Sequence, residues 1–310
     1  MVKKSKINYS IIIPNKNNIK LLKRCLDSIP RREDIQIIVI DDNSDPSILE
    51  FNNYPGLNNP NADVIFTNDG KGAGYARNVG LKHAKGEWIF FADSDDYYNN
   101  CFLNAIDKYL LSNADIIYFS SNSVFSNTLK VVERGIDRNQ LIDCFINKEN
   151  NSNDNLRYFY TVPWAKMFNH SFIKKHKLQF DEIIAGNDIM FSIKSGYYAK
   201  TIYADKSYIY SYTMTKGSLT NRNECNVIFN RYLATLRVNK FLKNNKKNKY
   251  RRSIIYYIIK LSTFGINSFV EAILLAIKYK SNPFVGFGNW AGTIIFKIKK
   301  KKEYSYYITK

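Results

Sequence analysis

The chain has 310 residues, is 45% hydrophobic and 15% aromatic, and sets 46 Lys+Arg against 27 Asp+Glu for a formal charge of +19. It is too apolar to be disordered and long enough for one large domain or two modest ones. Four well-separated cysteines (Cys25, Cys101, Cys144, Cys225) form no CxxC pair, which argues against a zinc ribbon or disulfide scaffold and fits a reducing compartment.

The basic start leads directly into Ile11–Ile13 and Pro14, so no secretory signal is read. Strands are predicted over 9–13, 35–40, 62–66, 88–92 and 115–120, and helices over 18–29, 73–84 and 100–111. Short apolar strands alternating with helices point to βαβ units and a mostly parallel sheet. In such a sheet ligands sit beyond the carboxyl ends of the strands. Residues 121–160 are less regular, with a polar loop at 150–155. Unusual residues gather over 164–195. From about 225 the chain is helical, lysine-studded and rich in tyrosine, and no internal repeat occurs.

Three blocks at strand ends carry chemistry. Asp93-Ser94-Asp95-Asp96 places three carboxylates within four residues. Their repulsion is relieved by a hard divalent cation, Mg²⁺ or Mn²⁺, which can also neutralise a diphosphate leaving group. The competing reading is a solvated acidic turn in which Asp95 or Asp96 caps the next helix. Asp41-Asp42-Asn43-Ser44 can accept hydrogen bonds from a base or ribose, and is equally a good turn and cap. In Gly70-Lys-Gly-Ala-Gly74-Tyr-Ala-Arg77-Asn78-Val-Gly80 the glycines admit a ligand to the backbone at a helix start. Arg77 can there meet a phosphate or a strand-end aspartate. The block is no P-loop, because no Gly-Lys-Ser/Thr follows.

In order and spacing these blocks resemble the family 2 glycosyltransferases of the GT-A fold. The match runs through Ser10-Ile-Ile-Ile-Pro14, Val39-Ile-Asp41-Asp42-Asn43-Ser44, Ala76-Arg77-Asn78-Val79-Gly80 and Asp93-Ser94-Asp95-Asp96. It continues in Pro163-Trp164-Ala-Lys166, in Gly186-Asn187-Asp188 and in Tyr210-Ser-Tyr212…Lys216-Gly217-Ser218. Relatives often carry Glu-Asp where this chain has Asn187-Asp188, and an Arg in the tyrosine stretch, where only Lys216 is near. The resemblance covers roughly 8–220.

The resemblance implies an α/β, Rossmann-like GT-A domain over 1–220, with a nucleotide-sugar half (8–120) and an acceptor half (121–220). It implies inverting, metal-assisted hexosyl transfer from a nucleotide-diphosphate donor, a UDP-sugar, to a glycan or lipid-linked acceptor of bacterial surface-polysaccharide synthesis. Asp95 and Asp93 would hold Mn²⁺ or Mg²⁺. Pro14, Asp41, Asp42, Arg77, Asp93 and Ser94 would contact the nucleotide-sugar. Asp188 would be the general base, and Trp164, Lys166 and Asn187 would face the acceptor. The alternative for Asp188 is a helix cap, and for Trp164 a place in the core. His83, His170 and His176 are given no metal role. A nucleotidyltransferase is the second enzyme reading, but it expects a glycine-rich loop after the first strand, where Pro14-Asn-Lys-Asn stands.

The charge divides unevenly. Residues 221–310 hold 19 Lys+Arg and 3 Asp+Glu, a net of +16, and residues 1–220 hold 27 and 24, a net of +3. A charge of +19 first suggests nucleic acid, but no nucleic-acid motif appears, and a degenerate basic binding protein is the non-enzyme alternative. The apolar stretch 253–279 is interrupted by Lys260, Glu271 and Lys278. The uncharged 281–296 contains Pro283, Gly286, Gly288 and Gly292, and falls short of the about 20 apolar residues of a clean span. With the lysine run 297–302, this region suits the surface of an anionic membrane. Its alternative is a helical extension with an oligomer interface. The expected location is cytoplasmic, peripheral on the inner face of the cell membrane.

Overall fold

The computed structural model describes residues 6–47, 53–132, 135–214 and 223–285. The Lys216-Gly217-Ser218 segment, Gly286, Gly288, Gly292 and the lysine run 297–302 lie outside the described residues. The chain divides into two compact units, 1–221 and 222–310.

The first unit is α/β. Its elements in chain order are β1 (Tyr9–Asn15), α1 (Ile19–Asp27), β2 (Ile35–Asp42), β3 (Ala62–Thr67), α2 (Ala73–His83), β4 (Trp88–Phe91), β5 (Tyr97–Tyr98), α3 (Phe102–Asp107), β6 (Ile116–Phe125), β7 (Val131–Val132), α4 (Ile136–Ile146), α5 (Ser152–Phe159), β8 (Lys166–Asn169), α6 (His170–Lys175), α7 (Ile189–Tyr198) and β9 (Ile202–Met214). The strands form one sheet in the order β3-β2-β1-β4-β8-β6-β9-β5, with β7 paired to β6. The long pairings, β1 with β2, β2 with β3 and β6 with β9, are parallel, as is β1 with β4. The antiparallel pairings are only two or three residues long.

The sequence dictates this layering. β1 and β2 are buried along their whole length, which is why they read as nearly continuous aliphatic runs. Successive residues point to opposite faces. Ile11, Ile13, Ile37, Val39 and Phe90 join Leu22 and Leu26 of α1 and Phe102 and Ile106 of α3 on one side. Ile12, Ile38, Ile40, Ile89 and Phe91 join Ala76 of α2 and Phe191 of α7 on the other. Pro14 is tolerated in a central strand because β4 pairs with β1 only as far as Ile12.

Two elements differ from expectation. The helix predicted over 100–111 ends at Asp107, because the chain leaves in tight turns that bond Tyr109 N to Ile106 O and Leu110 N to Asp107 O. The strand predicted over 115–120 runs on to Phe125. Its serines are poor strand formers by composition, yet their backbone pairs with β9 as far as Phe125 against Met214. Asn139 also brackets both backbone groups of Ser121.

In the second unit, α8 (Cys225–Asn244), α9 (Ile255–Ser262) and α10 (Ile266–Lys278) share a core of Ile228, Tyr232, Leu236, Ile258, Leu261, Ala272 and Ala276. The Tyr232 hydroxyl donates to Ala272 O at 2.7 Å. No helix among the described residues is long and apolar enough to cross a membrane.

Candidate functional site

The sheet order reverses between β1 and β4, so the carboxyl ends of β1, β2 and β4 open on one crevice. Asn15, Asp41, Asp42 and the 93–96 loop lie there. Asp41 is buried, and its carboxylate accepts from Ser44 N (2.9 Å), Ser44 Oγ (2.8 Å), Asn15 Nδ2 (3.0 Å) and Tyr54 Oη (2.7 Å). With so many protein donors, it ties β1, β2 and Tyr54 together. Asp42 accepts from Thr67 Oγ1 (2.9 Å) and from Gly72 N (2.5 Å). That places a carboxylate at the positive end of α2. Gly72 has φ +93°, a backbone that side chains rarely adopt. Pro14 and Ser94 are buried beside these groups.

The acidic loop is braced by β9 and α1. Carboxylate oxygens of Asp93, Asp95 and Asp96 lie within 4.8 Å of one another. Asp96 is spent on the protein, accepting from Tyr210 Oη at 2.8 Å and Thr213 N at 2.7 Å. The same Tyr210 oxygen accepts from Asp93 N at 2.9 Å. The Asp95 carbonyl accepts from Arg24 Nη2 and from Thr213 Oγ1, both at 2.5 Å. Burial, and then the charge of Asp93, push the Asp95 carboxyl up to about 6. Burial beside Asp95 and Asp93 likewise holds Asp96 well above the usual carboxylate range. Crowded hard oxygens that resist losing their protons are a donor set suited to a divalent cation. The oxygens least engaged by protein donors belong to Asp93 and Asp95.

Arg77 joins this loop to the far wall. It is buried over the Phe180 ring at 5.2 Å, donates from Nη2 to Asp93 Oδ1 at 2.5 Å, and donates from Nη1 to Asn187 Oδ1 at 3.0 Å. Of the two sequence-level options for Arg77, the structure displays the aspartate pairing. The wall itself is packed onto α2. A Cβ on Gly74 would sit 2.1 Å from Asp181 O, so only glycine fits. Asn78 brackets Phe180 through both of its backbone groups.

Asp188 follows Asn187 and occupies the N-cap position of α7, yet its side chain makes no capping hydrogen bond. It lies within electrostatic reach of Lys166, whose proton burial makes easier to lose and Asp188 helps to retain. Lys166 Nζ donates to Tyr160 O at 2.6 Å and lies over the Tyr118 and Tyr160 rings at 4.9 and 4.8 Å. Trp164 lies nearly parallel to Tyr210 and Tyr212, with ring centroids 5.2 and 5.4 Å away.

The three residues expected to face an acceptor are thus closed in. Trp164 is 4% exposed, Lys166 1% and Asn187 7%. Their side chains are used for ring stacking, a backbone carbonyl and Arg77. Sequence reasoning missed the Tyr210 hydroxyl as a link between Asp93 and Asp96, and the roles of Thr213 and Arg24. Tyr210 stood in a recognisable tyrosine stretch, but a hydroxyl bonding to residues over a hundred positions away leaves no local pattern.

Residues 10–176 match a model of the family described as Glycosyl transferase family 2. The chain is 31% identical over 217 residues to the poly(ribitol-phosphate) beta-glucosyltransferase of Bacillus spizizenii, which covers 67% of this chain and 32% of that protein. It is 29% identical over 244 residues to the poly(ribitol-phosphate) beta-N-acetylglucosaminyltransferase TarP of Staphylococcus aureus, covering 73% of this chain and 69% of TarP. The chain therefore spans about a third of the length of the B. spizizenii relative. The crystal structure of S. aureus TarS 1–349 in complex with UDP-GlcNAc superposes with a TM-score of 0.64 at 20% identity, over 86% of this chain and 79% of that one. The α/β sheet described above is thus the GT-A fold, and the chain belongs to glycosyl transferase family 2.

Proposed function

We propose that the chain transfers a sugar from a UDP-sugar to a hydroxyl of a bacterial surface glycan, free or lipid-linked, with inversion at the anomeric carbon. The observation that carries this reading is the continuous constellation at the switch point, in which Arg77 connects Asp93 of the acidic loop to Asn187, the neighbour of Asp188. Relatives named as poly(ribitol-phosphate) glycosyltransferases and a neighbour solved with UDP-GlcNAc support it.

Asp93 and Asp95 would hold Mn²⁺ or Mg²⁺, which when bound neutralises charge on the departing diphosphate. Asp96, Tyr210 and Thr213 keep the loop in shape for that task. Asp42 sets the Gly72 turn beside the nucleotide, and Asp41 works from behind as a positioning residue. Arg77 steadies Asp93 and balances its charge. Asp188 takes the proton of the acceptor hydroxyl as its oxygen attacks the face opposite the leaving group. One carboxylate suffices for this chemistry, whereas glycoside hydrolysis needs two flanking the bond. Trp164, Lys166 and Asn187 shape the acceptor side through the groups they hold.

The stereochemistry tests the reading. With water as acceptor, hydrolysis of an α-linked UDP-sugar followed by NMR is expected to release the β-anomer first. The α-anomer appearing first would remove the single-base displacement.

For the second unit we propose a hold on the anionic inner face of the cell membrane. On α10, Ile266, Val270, Leu274 and Ile277 recur at helical spacing and are 45–71% exposed, next to Lys278 and Lys280. An apolar stripe edged by lysines suits such a surface. Co-sedimentation is expected with phosphatidylglycerol vesicles, weakening as salt rises. Equal binding to phosphatidylcholine vesicles would contradict it.

A further inference from the structure

β6 runs parallel to β4, because each pairs antiparallel with β8. Its carboxyl end therefore emerges at the crevice end of the sheet, where the chain turns tightly into β7. At that turn Phe125 is 46% exposed, Leu129 49% and Val131 74%. Leu129 holds a left-handed backbone, φ +54°, at a hairpin position where glycine or asparagine is usual. A branched apolar side chain is thus presented to solvent in spite of local strain, which points to a use for it. From Ile116 to Val132 the chain carries no acidic residue.

The turn is built into the site. Arg24 donates to Ser126 O at 2.9 Å and, from its other terminal nitrogen, to the Asp95 carbonyl of the acidic loop. Ser126 N donates to Met214 O at the end of β9. Across the turn Phe125 N donates to Lys130 O at 3.0 Å, and Leu129 N to Phe125 O at 2.8 Å. Much of its backbone is therefore satisfied by the protein, as entry into an apolar medium requires. Exposed lysines accompany it. Lys130 stands in the turn, Lys20 lies one helical turn before Arg24 on the same face of α1, and Lys16 follows the end of β1. Among the described residues none of the three makes an ion pair.

These features favour a bilayer over a second protein surface. Three partly covered side chains offer well under half of the about 800 Å² that each partner contributes to a stable interface. Lysine is also depleted at protein interfaces, whereas apolar residues flanked by lysines match the layering of an anionic lipid surface.

We propose that the β6–β7 turn dips Phe125, Leu129 and Val131 into an anionic bilayer surface, with Lys16, Lys20 and Lys130 at its headgroups. The crevice then opens onto the membrane. This rests on the glycosyl-transfer reading and narrows its acceptor to one carried on a lipid.

Fluorescence of the full chain with brominated phosphatidylglycerol vesicles tests it. Trp88 and Trp164 are buried, and the wild-type chain supplies the background. The emission added by Leu129→Trp is expected to be quenched by the brominated lipid. A double variant, Leu129→Asn with Val131→Thr, is expected to bind the same vesicles about tenfold more weakly, the worth of withdrawing one leucine from water. Its UDP affinity and thermal midpoint are expected to stay at wild-type values, because asparagine accepts the left-handed backbone.

The proposal is overturned if the wild-type chain does not co-sediment with the vesicles, if the added emission is unquenched in chains that do, or if the double variant binds as wild type does. A loss of UDP affinity in that variant would make the turn part of the donor site instead. Self-association without vesicles, abolished in the same variant, would assign the turn to a second copy of the chain. A wild-type chain that is quenched at the turn but fails to bind UDP would bring down the glycosyl-transfer reading and leave the membrane contact standing.

Discussion

Exchanging Asp188 for asparagine is expected to lower sugar transfer by about 10³-fold, the range of a lost general base, while donor affinity stays as it was. The expectation follows from where the carboxylate stands. It occupies the N-cap position of α7 without making a capping bond, so the helix loses no cap, and asparagine is itself a good one. What disappears is the negative charge at the wall opposite the acidic loop. Lys166, whose proton Asp188 helps to retain, becomes easier still to deprotonate. The deficit should fall on kcat, measured by product formation under saturating donor. A loss below about tenfold would mean that another group takes the acceptor proton.

The second large effect concerns Asp95 and is read in stability. In the folded, cation-free chain its carboxyl is pushed up to about 6 from an ordinary value of 3.8, chiefly by burial and then by Asp93. The folded state thus binds this proton more tightly than the unfolded state does. The contribution to stability is full below about pH 4 and is lost as the pH rises through about 6. At neutral pH the crowded carboxylate then costs about 3 kcal/mol. Replacing Asp95 with asparagine removes that cost. In EDTA at pH 7.5 the variant is expected to melt about 5 °C or more above wild type. Mn²⁺ should raise the wild-type midpoint, because a cation takes the place of the missing proton, and leave the variant nearly unmoved. A variant that melts lower in EDTA and still gains fully from Mn²⁺ would show that the acidic loop holds no cation.

Much of the first unit could be read from sequence because its signals are local. Ile11–Ile13 and Ile37–Ile40 are aliphatic runs too dense for an exposed strand, and each ends on residues that belong at a ligand crevice. The serine-rich end of β6 could not be read, since its pairing with β9 depends on residues about ninety positions later. The same limit applies to the site. The spacing of Asp93, Asp95 and Asp96 marks a crowded acidic loop, but does not reveal that Asp96 is consumed by Tyr210 and Thr213. Asp41 and Asp42 look equivalent in sequence, yet one is enclosed by four donor contacts and the other governs the start of α2. Trp164 and Lys166 read from the sequence as acceptor-facing because of the Trp-x-Lys segment they stand in, with the core as the alternative for Trp164. Here stacking on two tyrosines and a cage of aromatic rings draws them inside.

In the proposed function a UDP-sugar is held through a cation at Asp93 and Asp95 and attacked by a hydroxyl that Asp188 deprotonates. Calorimetric titration of UDP into wild type, Asp95→Asn and Asp188→Asn, each with Mn²⁺ and with EDTA, tests it most directly. Mn²⁺-dependent binding is expected in wild type and in Asp188→Asn, and a loss of about tenfold or more in Asp95→Asn, at least the cost of disturbing a metal ligand's supporting shell. Equal affinity in all three proteins, with no response to Mn²⁺, would contradict it.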